Sequence, residues 1–294
     1  MNTNPIIQRA KQFIYSNARL LDRKRYEYFF EGGSKEAVLE VLRAYQNEDG
    51  GFGNALEPDI RCPYSQPVPT EMALMIMDEV DGFDPQILEG IIRYLRQLTL
   101  PDGGLPLVLR SASNYPHSPW WATDNDEQPS INPTGRIMGL LHKQNIKTDF
   151  IQESWFKQNV SYIWTIMQNE KPEGYHDGVQ WISFLQHTRE QERAAAIWPV
   201  FDDWLSRAGT IERNTEAEGY VHKVLDWAPD RESYAQKFIS DADLERHLDA
   251  MLREQGEDGG WPINFPPLSA GVHMEWRGWA TVERLKTLRS FGVI

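Results

Sequence analysis

QNEDGGFG, Gln46 to Gly53, follows directly on the run KEAVLEVLRAYQ (35–46), in which Val38, Leu39, Leu42 and Tyr45 recur at helical spacing. The amphipathic helix therefore ends where the glycines begin. Two glycines allow left-handed or otherwise strained backbone there, the acidic side chain beside them can cap nearby amides, and the aromatic can pack between neighbouring hairpins. The pattern returns at Asp102-Gly103-Gly104-Leu105 and Asp258-Gly259-Gly260-Trp261. From Asp49 the first interval is 53 residues and the second is 156, three times 52. A period near 52 predicts two further units with degraded turns, at about PEGYHD (172–177) and EAEGYVH (216–222).

The run ADLERHLDAMLREQ (242–255) repeats the amphipathic pattern with Leu244, Leu248, Met251 and Leu252 on one face. After the turns come segments rich in apolar or small residues: PTEMALMIMDEV (69–80), NPTGRIMGLLHK (132–143), DGVQWISFLQHT (177–188) and EWRGWATVERLKTLRSFG (275–292). Each unit thus reads as outer helix, glycine turn, loop, inner helix. Five such pairs over 35–292, with an N-terminal helical segment at about 5–30, predict an all-α chain. The expected architecture is an α/α toroid of about five to six outer/inner hairpins, one domain spanning 1–294.

A net charge of −13, from 30 basic and 43 acidic residues, disfavours a nucleic-acid partner or an anionic membrane surface. The start, MNTNPIIQRAKQFIY, lacks a signal peptide's apolar core, and no stretch has the length of a transmembrane segment. A cytoplasmic protein acting on a small-molecule substrate is expected, with its oligomeric state left open. The lone Cys62 excludes an intramolecular disulfide and a multi-cysteine zinc cluster.

The stretch 46–53, with its variants LPDGGLP (100–106) and GEDGGWP (256–262), resembles the QW repeats of the terpenoid cyclase and protein prenyltransferase superfamily. ARLLDRKR (18–25), GGFGNALEPDIR (50–61), SINPTGRIMGLLH (130–142) and the segment 275–292 also resemble a small prokaryotic squalene-cyclase-like branch. The resemblance implies an α/α toroid with its active cavity inside the ring. It leaves the reaction open, because that architecture hosts cyclases, zinc transferases, sugar-cleaving enzymes and non-catalytic domains.

In a toroid the inner-helix N-termini and the loops before them line one cavity mouth. Five groups qualify: Glu57 and Asp59 with Gln66, Thr70 and Glu71; the loop 120–134 with Trp120, Trp121 and Asn132; His176 and Asp177 with Trp181; Trp261 and Asn264; and His273, Glu275, Trp276 and Arg277. Within the second group, Asp124-Asn125-Asp126-Glu127 resembles the D-x-D-D acid motif of class II terpene cyclases. The resemblance implies Asp126 as proton donor, with Asp124 beside it and Glu127 where an aspartate is expected. Neighbouring carboxylates split their pKa values, so one can stay protonated; a solvated capping loop explains the same run. His176 could act as acid or base near neutral pH, with Asp177 orienting it or capping its helix.

The zinc transferases bind metal through an aspartate, a nearby cysteine and a distant histidine. Here Cys62 lies three residues from Asp59 in a proline-bounded loop, so no metal and no cofactor is expected. Tryptophans at the loop ends could stabilise carbocations or stack on sugars. The leading expectation is acid-initiated cyclisation or isomerisation of a small isoprenoid or similarly apolar substrate. A carbohydrate-active toroid, hydrolase or lyase, and a non-catalytic binding toroid remain as alternatives.

Overall fold

A computed structural model describes residues 4–294. In chain order its helices are α1 (Pro5–Asn17), α2 (Leu20–Phe30), α3 (Lys35–Arg43), α4 (Pro67–Glu79), α5 (Pro85–Leu98), α6 (Ile131–Lys143), α7 (Ser154–Asn169), α8 (Tyr175–His187), α9 (Gln191–Leu205), α10 (Val224–Trp227), α11 (Asp241–Arg253) and α12 (Ala270–Ser290). Two two-residue strands, β1 (Leu105–Pro106) and β2 (Pro129–Ser130), pair antiparallel. Among the described residues the class is all-α, with 59% helix. It divides into two compact units, one built from Met1–Val38 and Leu205–Ile294, the other from Leu39–Trp204.

In the unit of Leu39–Trp204, α6 packs on α4 on one side and α8 on the other, while α5 packs on α7. The burial follows the composition. Helix α5 buries Ile87, Leu88, Ile91, Ile92 and Leu95 and exposes Glu89, Arg93 and Arg96, as an outer helix should. Helix α4, opened by Pro67 at a position where no amide donor is needed, is buried along nearly its whole length. Glycines permit the close approach of α6 to α8: a Cβ on Gly139 would come 2.5 Å from the Ser183 carbonyl oxygen.

Three turns share the backbone geometry of their first glycine. Gly50, Gly103 and Gly259 have φ of +96°, +86° and +91°, a region that only glycine enters without strain. A Cβ on Gly50 would come 2.1 Å from the Gly90 oxygen of α5, and one on Gly103 2.3 Å from the Gln158 oxygen of α7. Each turn in this unit is thus pressed against the next outer helix. The residue after each glycine pair is latched to an inner helix by a threonine: Phe52 N donates to Thr70 Oγ1 at 3.1 Å, and Leu105 N to Thr134 Oγ1 at 2.9 Å. Each hydroxyl in turn donates to the carbonyl four residues back. Asp49 caps its turn by accepting from Gly51 N at 3.0 Å, as the sequence suggested.

The unit of the chain termini obeys the same rules. Trp261 N donates to Thr281 Oγ1 at 3.1 Å, and Asp258 accepts from Gly260 N at 3.1 Å. Gly259 is pressed against Arg9 of α1, and Gln255 bridges to Ile6 O and Gly259 O at 3.0 Å each, just as Gln46 bridges to Ile87 O and Gly50 O. Helix α1 therefore takes the place of the outer helix that follows the last turn. The helical segment expected at 5–30 is two helices, broken at Ala18 where the backbone becomes extended and Gly278 of α12 packs against it. Between α9 and α11 the chain forms only one short α-helix, the four-residue α10. Its surroundings, 210–240, are charged and broken by Gly219 and Pro229, and Val224, Leu225 and Trp227 are its buried residues.

Candidate functional site

In the Leu39–Trp204 unit the N-terminal turns of α4, α6 and α8 bring polar side chains together, with Glu71 and Gln180 buried, Asn132 and Arg136 half-buried and His176 exposed. Glu71 lies in the second turn of α4, Asn132 and Arg136 at the start of α6, and His176 and Gln180 at the start of α8. Glu71 Oε1 accepts from Gln180 Nε2 at 2.6 Å and from the Arg136 guanidinium at 3.2 Å. Gln180 is the hub. Its second amide contact is Asn132 Oδ1 at 3.1 Å, and its own oxygen accepts from Arg136 N at 2.5 Å, beside the non-helical backbone of Asn132. The side chains that hold Glu71 are thus held themselves.

Glu71 is 5% exposed. Burial raises its carboxyl pKa, and the charge of Arg136 and the hydrogen bonds from Gln180 and Arg136 oppose that rise without cancelling it. His176 is accessible to solvent yet surrounded by enough protein that burial, and then the Arg136 charge, lowers its pKa. The group therefore holds a carboxyl biased toward its acid form and an imidazole biased toward its neutral form. That is the pairing needed to give a proton at one point and take one at another.

The repeat singles out Glu71. Each latch threonine is followed by a residue at the same place in the repeat: Glu71 after Thr70, Gly135 after Thr134, Val282 after Thr281. Gly135 is buried against Gln180 and Val282 is fully buried. A carboxylate where the repeat elsewhere places a hydrogen atom or an isopropyl group serves no packing need of the repeat.

No family model matches this chain, and no curated protein does. The crystal structure of a protein from Actinoplanes is similar, with a TM-score of 0.58 and 12% identity over 97% of this chain and 98% of that one. At that identity the likeness is one of fold.

The other residues expected at a site fall in several settings. Asp126 accepts from Arg110 N at 2.6 Å and pairs with Arg110 Nε at 3.0 Å, fastening an exposed loop; Asp124 and Glu127 are exposed beside it. Among the described residues none of the three bonds to the Glu71 group. Asp177 caps its helix entry by accepting from Glu173 N at 3.0 Å. Thr70 is spent in the turn latch, and Gln66 is buried between Ser111 and Leu109 N. Glu57 and Asp59 are buried in the loop before α4, where Ser118 N donates to Asp59 O. Trp181 is buried and stacked on Phe201, Trp121 packs on the Ile60 and Cys62 cluster, and Trp120 is exposed.

In the unit of the termini, Trp261 is buried with its indole donating to Met251 O, and Arg277 makes a two-pronged pair with Asp258 at 2.7 and 2.8 Å. Asn264 donates to Val221 O on the surface, Trp276 packs edge-on against Phe265, and His273 and Glu275 are half-buried. Arg136 and Gln180 are the members of the Glu71 group that sequence reasoning did not reach. Their signal was present: Arg136 is the one charged residue of NPTGRIMGLL, and Gln180 is the one amide of GVQWISFL, in helices otherwise rich in apolar and small residues. Among the described residues no set of three or more His, Cys, Asp or Glu is arranged to hold a metal ion. No helix there is long and apolar enough to cross a membrane.

Proposed function

We propose that the chain is an α/α-toroid enzyme of the terpenoid cyclase-like type that isomerises a small isoprenoid or similarly apolar substrate by proton transfer, with Glu71 as the acid. The observation that carries this reading is the buried Glu71 carboxyl, its pKa raised by burial, at a repeat position that is otherwise Gly135 or Val282. A raised pKa keeps the proton on the acid but weakens it, which suits an activated substrate such as an epoxide or a conjugated alkene better than an isolated one. Neutral His176 takes the balancing proton, so the net change is a rearrangement with no proton gained or lost. Gln180 and Arg136 hold the Glu71 carboxyl in place before and after transfer.

The serial order of hairpins that a ring needs is supported by the turns. Gly50 and Gly103 abut the following helices α5 and α7, and in the unit of the termini Gly259 abuts α1, a pattern that hairpins stacked in series share. Gly174 and Gly219, in the two further turns expected from spacing, meet no neighbour. Asp126, the donor implied by the cyclase motif, is engaged with Arg110 and accessible to water, which favours Glu71 over it as the acid.

The test is a substrate panel of prenyl alcohols, their epoxides, prenyl diphosphates and oligosaccharides, with products read by mass spectrometry. The wild-type chain should convert an isoprenoid to an isomer of unchanged mass. Glu71→Gln should remove turnover while retaining binding, and Asp126→Asn should leave turnover within about twofold of wild type. Turnover surviving in Glu71→Gln, or cleavage of an oligosaccharide in place of isomerisation, would overturn the assignment.

A further inference from the structure

A cavity of about 370 Å³ lies at the opposite end of α6 from Asn132, bordered by α7 and the start of α9. His142, at its border, is ten residues along α6 from Asn132, about 15 Å at 1.5 Å per residue. The cavity is therefore distinct from the Glu71 group. Its size is that of a small-molecule site. One part of its wall is apolar, with Phe156, Val160 and Trp164, and the rest carries charge.

The charge has the opposite sign to the chain. In a protein of net charge −13 this cavity gathers Lys157, Arg189 and Arg193 around the single acid Glu190. Glu190 is already engaged, accepting from Trp164 Nε1 at 2.9 Å and pairing with Arg193 at 3.5 Å, and Arg193 lies over the Trp164 ring at 4.6 Å. Lys157 and Arg189 remain. Among the described residues neither pairs with a carboxylate.

His142 adds a second observation. Both its ring nitrogens are buried without a hydrogen-bond partner, while its ring edge packs on Phe156 at 4.9 Å. Burial, then the charge of Arg189, lowers its pKa to about 4, so it is neutral at pH 7 and competes with neither cation for an anion. A neutral imidazole bearing an unpaired N–H at the edge of a cavity lacks an acceptor that an entering polar group can supply.

We propose that this cavity binds a small amphipathic anion, its apolar body against Phe156, Val160 and Trp164 and its carboxylate or phosphate head between Lys157 and Arg189. Both faces are needed. The apolar wall adds contact that a bare inorganic anion cannot make, and the two unpaired cations discriminate against an alcohol of the same shape.

Calorimetric titration of the full chain with octanoate, octyl phosphate, 1-octanol and inorganic phosphate tests this. At least one of the two amphipathic anions should bind one to one, and the tighter of them names the head group. 1-Octanol should bind at least tenfold more weakly, and inorganic phosphate should give no measurable heat. Replacing both exposed cations (Lys157→Gln with Arg189→Gln) should weaken the anion at least tenfold with an unchanged melting temperature. Val160→Trp, which fills the cavity, should abolish it. Failure of both anions to bind, equal binding of octanol, saturation by inorganic phosphate alone, or indifference to the double substitution would each overturn the proposal.

Discussion

The two units carry the same threonine latch and then diverge by one residue. After Thr70 the carboxylate comes at once, as Glu71; after Thr281 it comes one position later, as Glu283, behind Val282. One residue is about 100° of helix, so the two acids face different neighbours. Glu71 meets one arginine and an amide, and burial leaves its pKa raised. Glu283 pairs with the fully buried Arg25 and with Lys286; burial acts to raise its pKa too, but those charges outweigh it and lower it to about 2. Arg25 also pairs with buried Asp22 at 3.2 Å, Asp22 with Arg19 at 2.9 Å, and the Arg25 guanidinium lies 3.7 Å over the Trp279 ring. The half-buried Glu283 is thus balanced by cations, whereas the buried Glu71 keeps a raised pKa.

The largest effect should come from breaking the saturated cluster. Arg25→Ala removes the buried cation that Asp22 and Glu283 share, leaving Asp22 to Arg19 alone, and should cost about 3–5 kcal/mol in chemical denaturation. A loss under 1 kcal/mol would erase the contrast between the two clusters. Next come the latches themselves. Thr70→Val and Thr281→Val each leave a buried amide, of Phe52 or Trp261, unsatisfied and should cost about 1–3 kcal/mol apiece. Equal losses would confine the difference between the units to the residues after the latch.

Smallest in stability is Glu71→Gln, which keeps an acceptor for Arg136 and removes a charge disfavoured by burial. It should change stability by less than about 1 kcal/mol at pH 8, in the stabilising direction. Its pH dependence is more telling. Glu71 has a folded pKa above its unfolded value of 4.5, so ionising it costs stability above the folded pKa, and that cost disappears as pH falls toward 4.5. The advantage of Glu71→Gln should shrink over that window. Glu283 runs the other way. Its folded pKa is depressed, so its stabilisation is present above 4.5 and is lost as pH falls toward about 2. Melting curves of wild type, Glu71→Gln and Glu283→Gln between pH 8 and 2 would show the two opposite trends.

The all-helical class and its repeat were legible because they rest on local chemistry. Gly50, Gly103 and Gly259 sit at positive φ, and Asp49 and Asp258 cap the turns they precede. The short α10 was not legible, since Gly219 and Pro229 interrupt a segment whose place in the repeat was inferred only from spacing. At the candidate site, Glu71, Asn132 and His176 followed from the rule that inner-helix starts face a ligand. Arg136 and Gln180 did not, because each joins the group only through contacts 44 to 109 residues away in sequence. The setting of Asp126 was hidden for the same reason: its partner Arg110 lies 16 residues earlier, in a loop whose course no periodicity reveals.

The central claim is that Glu71 is a buried acid with a raised pKa, and it can be measured without a substrate. Side-chain carboxyl carbons of 13C-glutamate-labelled protein would be titrated by NMR, with the Glu71 resonance assigned by its absence in Glu71→Gln. The Glu71 signal should titrate above the ordinary glutamate value of 4.5, with the Glu283 signal far below it. A Glu71 titration below 4.5, alongside Glu283, would show Arg136 to have fixed its charge and would remove it as the acid.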